Sequence, residues 1–251
     1  MLILGIESAT MQAGCALIDH QGVLASVHVA RGRRHAELLA PAISFACDQA
    51  GVSLTDVCAV AVDVGPGLFT GLRVGIATGK AIAAALRVPM IGISSLDLLA
   101  FPARFSGRRI AAVIDARRGE LFYAFYRHVP GGVQRLGDPV VGSPEELQSE
   151  ILATPEEQLL VGDGAARYAD LFADLANVEL ADQGLEHPSA VSLVQLAHAQ
   201  ALREEWQQPW EVAPLYLRAP DAEINWSVRN GALSYTHLRA HETRHDLSPR
   251  D

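Results

Sequence analysis

A glycine-rich stretch between a predicted strand and a predicted helix holds the residues best suited to chemistry in this 251-residue sequence. One interpretation of the stretch is an anion site, in which Gly65 and Gly67 let the backbone approach a phosphate and Thr70 caps the helix. The start of the helix would supply N–H groups and a partial positive charge to such a ligand. The stretch reads Val64-Gly65-Pro66-Gly67-Leu68-Phe69-Thr70-Gly71-Leu72-Arg73-Val74-Gly75.

The second interpretation is that this helix packs unusually close to another element. Small residues recur at intervals of four along one ridge of the predicted helix, namely Gly71, Gly75, Gly79 and Ala83. Three glycines in a helix interior cost roughly 1 kcal/mol each relative to alanine, so a compensating interaction is expected. Because Gly75 and Gly79 lie beyond a ligand at the helix start, we favour close packing, either within the chain or against a partner.

Acidic residues near the same stretch suggest two enzyme functions instead. A nuclease of the ribonuclease-H type would hold two divalent ions with Glu7, Glu37 and Asp63, with Asp115 nearby. A nucleotide hydrolase or kinase would use the turn after the first strand as a phosphate loop, paired with Gly162-Asp163-Gly164. The candidate nucleotide loop then consists of Glu7, Ser8, Thr10, Gly65, Gly67 and Thr70.

The overall composition argues against a protein that grips nucleic acid by itself. The formal net charge is -9, and an acidic surface repels a phosphate backbone. Any contact with RNA is therefore expected to run through a partner. The three cysteines, Cys15, Cys47 and Cys58, lack CxxC spacing, which predicts reduced thiols in a cytoplasmic protein. No run approaches about 18 uninterrupted apolar residues, so no membrane-spanning segment is expected.

The strands and helices that must position these residues can be predicted from hydrophobic periodicity. A meander of three strands is predicted at Leu2–Glu7, Gly14–Asp19 and Val23–Ala30. An amphipathic helix follows from His35, because apolar residues recur there at three- and four-residue spacing. A buried strand, a long helix and a further strand come next, at Val57–Asp63, Gly71–Leu86 and Pro89–Ile93. This order of elements is typical of a ribonuclease-H-like α/β domain.

A second, smaller or degenerate α/β lobe is predicted at residues 106–228, after a first lobe at 1–105. Its first two strands are joined by a tight turn at Arg117-Arg118-Gly119, and Ser143 begins a helix as N-cap. A late helix of this lobe can pack back on the first lobe. Residues 229–251 resemble read-through into vector sequence, and we exclude them from the predicted fold.

Six short segments match, in order, the sequence blocks of one known family. They are Leu4–Thr10, His35–Pro41, Gly65–Gly75, Asp115–Glu120, Gly162–Ala165 and Tyr216–Arg218. The run GPGLFTGLRVG resembles the signature of the TsaB (YeaZ) family, with Leu68 where the family usually has serine. Glu7 stands where the family usually has aspartate. The resemblance covers roughly residues 1–226.

The resemblance implies an actin-like ATPase type of fold, made of two ribonuclease-H-like lobes with mixed β-sheets flanked by helices. It also implies a non-catalytic subunit that forms a heterodimer with TsaD, works with TsaE, and supports transfer of a threonylcarbamoyl group to tRNA. No cofactor of its own is predicted for the chain. Binding of ATP or ADP at the partner interface, and a homodimer when TsaD is missing, are alternatives that the sequence leaves open. The interface implied by the family is Gly71, Leu72, Arg73, Gly75, Ile76, Gly79 and Ala83.

No metal site and no catalytic residues are predicted for this chain. The catalytic TsaD family has a His-x-x-x-His pair after the strand that follows the glycine helix, and the two equivalent positions here are Ser95 and Leu99. A leucine cannot ligate a metal, and a lone serine hydroxyl is a poor substitute for imidazole. A basic turn at Arg31–Arg34 could touch tRNA phosphate, although a solvated turn is the favoured interpretation. His237, His241 and His245 fall at helical spacing in the tail and mimic a metal site.

Overall fold

The computed structural model describes residues 1–30 and 35–218, with the backbone alone at His35. The predictions for the Arg31–Arg34 turn, for residues 219–228 and for the tail at 229–251 therefore lie outside the described residues.

The first five strands form one sheet in the order β3-β2-β1-β4-β5. β1 pairs antiparallel with β2 and parallel with β4, which places the carboxyl ends of β1 and β4 side by side. Every residue of β1 is buried, because helices cover both faces of the sheet. The strands are β1 Leu2–Glu7, β2 Ala13–Asp19, β3 Gly22–Val29, β4 Val57–Gly65 and β5 Met90–Ser94.

Three helices cover the first sheet. α1 (His35–Ala50) and α2 (Phe69–Leu86) lie on one face, where residues such as Leu39 and Ile76 join a common core with Val60. α7 (Ala190–Ala201), which comes from late in the chain, lies on the other face and packs Leu193 and Val194 beside Ile3. Helices on both faces of a largely parallel centre are what buried strands of this kind require.

The second sheet has the order β11-β10-β6-β7-β8, with the short β9 paired to β7. Read from its far edge, this is the order of the first sheet again: a meander of three antiparallel strands and two parallel additions. The strands are β6 Arg109–Arg117, β7 Glu120–Val129, β8 Gly132–Arg135, β9 Val140–Gly142, β10 Gln158–Val161 and β11 Val178–Leu180.

Four short helices accompany the second sheet. α3 (Ser95–Ala100) carries Leu96 and Leu99 into the core of its inner face. α4 (Pro144–Leu152), α5 (Asp163–Arg167) and α6 (Ala169–Phe172) accompany the opposite face. α4 begins as predicted, with a capping box in which Ser143 and Glu146 bond each other's backbone N–H groups.

The predicted fold class is confirmed: the chain has mixed sheets flanked by helices in two similar α/β lobes. The predicted boundary at residue 105 falls between the two sheets and stays a prediction. Of the described helices, only α2 is long and apolar enough to cross a membrane by length and composition. Core helices of water-soluble proteins pass the same test, and α2 packs its glycine ridge on β4, so this is weak evidence for a membrane span.

Candidate functional site

The glycine ridge of α2 faces the chain's own sheet. A Cβ atom at Gly75 would overlap Ser8 Oγ in the turn after β1, and one at Gly79 would lie 2.5 Å from Val62 Cγ1 in β4. Contacts shorter than 3.0 Å essentially never occur for real Cβ atoms. The close packing predicted from the four-residue spacing is therefore packing within the chain, between a helix and a sheet.

This orientation corrects the predicted partner interface. Six of the seven predicted residues are buried inside the chain, namely Gly71, Leu72, Gly75, Ile76, Gly79 and Ala83. The physical reason is that a ridge without side chains lets the backbone of α2 approach β1 and β4, and the same ridge cannot also meet a partner. Arg73 alone of the seven is exposed.

The opposite side of α2 and the neighbouring side of α1 form an exposed surface, which we call the α1–α2 face. On α2 it presents small apolar residues, Ala77, Ala81, Ala84 and Ala85. On α1 it presents Ala36, Ala40, Pro41 and Phe45, and the Phe45 side chain is 56% exposed. The two helices contact each other, so these residues belong to one continuous helical layer.

The turn after β1 is filled by the glycine turn that precedes α2. Leu68 N–H donates to the Ala9 carbonyl at 2.7 Å, and Ser8 Oγ donates to the Gly71 carbonyl at 2.9 Å. A Cβ atom at Gly67 would overlap the Ala9 carbonyl oxygen, so the two turns are in direct backbone contact.

Two buried carboxyl groups lie at the carboxyl ends of β1 and β4. Glu7 Oε1 accepts from Ala9 N–H at 2.8 Å, while Asp63 Oδ1 accepts from Gly65 N–H at 2.7 Å and from Ser95 Oγ at 2.6 Å. The second oxygen of each, Glu7 Oε2 and Asp63 Oδ2, is buried and has no hydrogen-bond partner among the described residues. We call these two residues the bare pair.

Burial raises the pKa of both carboxyls in the bare pair. The pKa of Glu7 lies well above its usual value because of burial and, secondly, because of the charge of Asp63. Burial raises the pKa of Asp63 to about 7, with hydrogen bonds from Ser95 and Gly65 acting in the opposite direction. The pair therefore holds a proton under conditions in which exposed carboxyls are ionised.

These residues do not fit a nucleotide phosphate between the two turns. Glu7, Ser8 and Thr10 are buried, and the N–H of Leu68, which an anion would need, is already bonded to Ala9. The bare pair would also repel a phosphate at this place. Gly67 is half-buried and Thr70 is exposed, so the six residues of the candidate nucleotide loop do not form one open cradle. ATP or ADP at a partner interface stays a prediction.

Only two of the four nuclease carboxylates are brought together. Glu7 and Asp63 are buried at the ends of β1 and β4, whereas Glu37 is exposed on α1 and Asp115 belongs to the second sheet. Within residues 1–30 and 35–218, no group of three or more His, Cys, Asp or Glu side chains is placed to hold a metal ion.

An aromatic and arginine cluster at the start of α2 escaped the sequence prediction. The Arg73 guanidinium lies 3.8 Å from the centre of the Phe69 ring, and its Nε donates to Tyr216 Oη at 3.1 Å. The Phe69 and Tyr216 rings are 5.4 Å apart. Leu215 N–H donates to the Val64 carbonyl at 2.7 Å, which fixes the late segment beside the glycine turn. The available signal in the sequence was that Phe69, Arg73 and Tyr216 all lie in segments that match the family's sequence blocks.

A second carboxylate pair lies at the carboxyl ends of β6 and β10. Asp163 Oδ1 accepts from Asp115 N–H at 3.0 Å, and Asp115 Oδ2 accepts from Arg117 at 2.8 Å and pairs with Arg167 at 3.3 Å. We call Asp115 and Asp163 the bridged pair. Burial raises the pKa of Asp163, while the Asp115 N–H and nearby His187 favour its ionised form.

Comparisons with known proteins match most of the chain. A family model described as "TsaD: tRNA N6-adenosine threonylcarbamoyltransferase" matches residues 23–226. The tRNA threonylcarbamoyladenosine biosynthesis protein TsaB of Escherichia coli strain K12 is 30% identical over 87% of this chain and 95% of that protein. The structure of YeaZ from Pseudomonas aeruginosa is 31% identical, with a TM-score of 0.76 over 86% of this chain and 99% of that one.

The chain belongs to the TsaB (YeaZ) family. TsaB of Bacillus subtilis strain 168 is 25% identical over 90% of this chain and 98% of that protein. In this member of the TsaB family, the two positions compared above with the imidazoles of TsaD have structural roles. Ser95 Oγ bonds Asp63, and Leu99 is buried in the core of the second sheet.

Proposed function

We propose that the chain is a non-catalytic subunit of the machinery that makes threonylcarbamoyladenosine in tRNA, and that it acts by binding TsaD. The names of its relatives support the pathway. The described residues support the role of a non-catalytic subunit that binds TsaD. In them, the turns that would carry chemistry are closed, and a helical surface is exposed.

The observation that carries this proposal is the α1–α2 face. Alanines at successive turns of α2 present a flat surface on which a second helix can pack closely, and Phe45 of α1 supplies a large apolar side chain beside them. Four of these exposed positions lie on one helix, within one continuous layer. An apolar layer of this kind is typical of a protein–protein interface.

The same surface explains the expected assembly. We propose that TsaD covers it in a heterodimer, that a second copy of the chain covers it when TsaD is missing, and that TsaE joins the TsaD-bound form. Contact with tRNA then takes place in that complex, in the cytoplasm.

The test replaces Ala81 by arginine and measures complex formation with a bacterial TsaD by size-exclusion chromatography with light scattering. The wild-type chain should form a heavier species containing both proteins, whereas A81R should not, because its long charged side chain blocks close packing. The matched control is Ala173→Arg, which adds the same charge at an exposed position beside α6 of the second lobe.

A complex that forms equally well with A81R would place the interface elsewhere. If the wild-type chain stays monomeric when it is mixed with TsaD at tens of micromolar, the proposal itself is wrong.

A further inference from the structure

The hairpin turn between β6 and β7 holds two consecutive arginines in an unfavourable backbone conformation. Arg117 has φ +65° and Arg118 has φ +58°, both in the left-handed region. Residues other than glycine, asparagine and aspartate are uncommon there. The last paired residues of the hairpin are Arg117 and Glu120, so Arg118 and Gly119 form its two-residue turn.

A two-residue turn with positive φ at both positions is of type I′, for which Asn-Gly is the preferred sequence. This chain has Arg-Gly at that place. A disfavoured residue in a tight turn points to a role for its side chain rather than to the folding of the turn.

A buried carboxylate organises the arginines around this turn. Asp115 Oδ2 contacts the guanidinium groups of both Arg117 and Arg167, and Asp115 Oδ1 accepts the backbone N–H of Arg117 at 2.9 Å. The Asp115 side chain is 3% exposed, whereas those of Arg117 and Arg167 are 44% and 56% exposed. Of these three groups, the acid is therefore hidden and the two cations meet solvent.

The geometry resembles a preorganised oxyanion site. One carboxylate holds two guanidinium groups from behind, which reduces the freedom that they would lose on binding a further anion. Arg118 is exposed on the adjoining turn and adds a third cation to the same edge. We call Arg117, Arg118 and Arg167 the arginine edge.

The arginine edge continues toward the start of α2. Arg218 pairs with Glu120 at the base of the turn, and Tyr216, two residues earlier, bonds Arg73. Cationic groups from both lobes thus lie along the carboxyl ends of the two sheets. In a chain with formal net charge -9, this local concentration of arginine is not explained by composition.

We propose that the arginine edge binds the phosphate backbone of tRNA in the assembled complex, an inference that rests on the proposed function. Guanidinium groups recognise phosphate through paired N–H donors, and backbone contacts position an RNA without reading its sequence. An otherwise acidic subunit would then help to orient the bound tRNA, whereas most of the binding affinity would come from the rest of the complex.

The test compares three single-charge variants in complex with TsaD, using an unmodified transcript of a tRNA that reads codons beginning with A. R118N removes the charge and installs the Asn-Gly sequence that a type I′ turn prefers. R167Q removes the second exposed guanidinium. R108Q is the matched control, since the Arg108 side chain is 33% exposed and ion-paired with Glu157 and Glu179 at the opposite end of β6.

We expect R118N and R167Q each to weaken tRNA binding about three- to tenfold at low salt and to reduce the salt dependence of log affinity by roughly 0.7–0.9. R108Q should match the wild type in both quantities. Unchanged binding by R118N and R167Q, or an equal loss in R108Q, would overturn the proposal. Competition by ATP or ADP that depends on Arg118 and Arg167 would also overturn it, because the edge would then be a nucleotide site.

Co-elution with TsaD keeps this test separate from the proposed function. If the wild-type chain does not bind TsaD, the same titrations on the chain alone at low salt decide the matter. If tRNA binding by the chain alone depends on Arg118, the proposal for the arginine edge is supported although the proposed function is wrong. If that binding does not depend on Arg118, both proposals are wrong.

Discussion

The two sheets carry a carboxylate pair at the same topological place and hold it in opposite ways. The bare pair, Glu7 and Asp63, lies where β1 and β4 end, on the face of the sheet that carries α3 and α7, and among the described residues one oxygen of each has no hydrogen-bond partner. The bridged pair, Asp115 and Asp163, lies where β6 ends and where α5 begins after β10, with two arginines reaching Asp115 from solvent.

The groups around each pair account for the difference. The hydrogen bonds described for the bare pair come from neutral donors, the N–H groups of Ala9 and Gly65 and the hydroxyl of Ser95, and burial raises the pKa of both carboxyls. At the bridged pair, the guanidinium groups of Arg117 in β6 and Arg167 in α5 both lie within ion-pair distance of Asp115. A repeated strand order therefore supports a closed core in one lobe and a charged surface in the other.

The largest expected effect comes from breaking the close packing of α2 on the turn after β1. Gly75→Leu should destabilise the isolated chain by at least ~3 kcal/mol, because its side chain would collide with Ser8, whose hydroxyl is bonded to Gly71. Urea denaturation of the chain without TsaD measures this. Ala77→Leu, exposed half a turn away, is the control and should stay within about 1 kcal/mol of wild type. A folded G75L chain of normal stability would show that the ridge does not pack as described.

The next effect comes from the bridged pair. Asp115→Asn should lower the free energy of unfolding by about 1–3 kcal/mol, because two ion pairs lose their charge-assisted character. Thermal denaturation at pH 7 and again at high salt is the measurement. Equal stability of D115N and wild type would mean that the arginines do not stabilise the second lobe.

An Asp-to-Asn substitution in the bare pair should change the free energy of unfolding in the opposite direction. At pH 8, Asp63→Asn should raise the free energy of unfolding by roughly 1–2 kcal/mol, because it removes a buried charge. The new amide can keep the bonds from Gly65 and Ser95 through its oxygen and direct its NH₂ group toward the unpartnered Glu7 oxygen. If D63N loses as much stability as D115N, the proposed difference between the bare pair and the bridged pair is wrong.

The pH dependence of that gain follows from the raised pKa values. A carboxyl with a raised folded-state pKa binds its proton more tightly in the folded chain, so its stabilising contribution is complete below about pH 4. It is lost as the pH rises through the folded value of about 7 for Asp63. The stability difference between D63N and wild type should therefore grow from pH 5 to pH 8. The charge of Asp97 also raises the pKa of Asp63. A difference that stays constant over this range would contradict the raised pKa of Asp63.

The smallest effect concerns how the two lobes begin their helices. α4 starts with the capping box of Ser143, whereas α2 starts at Leu68, which has the extended backbone of an N-cap but no side-chain bond. Leu68→Ser should stabilise the chain by about 0.5–1 kcal/mol by bonding a free N–H of the first turn. A melting temperature that falls instead would show that Leu68 contributes more through packing.

Local patterns in the sequence were enough to predict most elements. The meander, the helix from His35, the capped helix after Ser143 and the long glycine helix occur within a few residues of their predicted bounds. Their periodicity and caps are properties of neighbouring residues, which a single sequence displays. No strand was predicted between Val129 and Gly142, yet β8 and β9 lie there, because pairing with β7 extends short segments that have weak propensity of their own.

The orientation of the glycine ridge could not be predicted in the same way. Four-residue spacing shows that something approaches Gly75 and Gly79 closely, but the approaching residues, Ser8 and Val62, are far away in sequence. The arginines at Asp115 and the contact of Tyr216 with Arg73 depend equally on long-range pairing. The candidate site was therefore predicted as a set of segments, and its contacts required the structure.

The late helix α7 has a consequence for synthesis of the chain on the ribosome. It covers one face of the first sheet, and the segment at Leu215 bonds the glycine turn, yet both emerge about 100 residues or more after β5. At a translation rate of roughly 5–20 residues per second, the apolar face that includes Ile3 and Ile93 stays uncovered for about 5–20 seconds until α7 has been synthesised. The strands of the second sheet and α4–α6 are complete before α7 exists. The half of the protein that is translated first is thus the half that closes last.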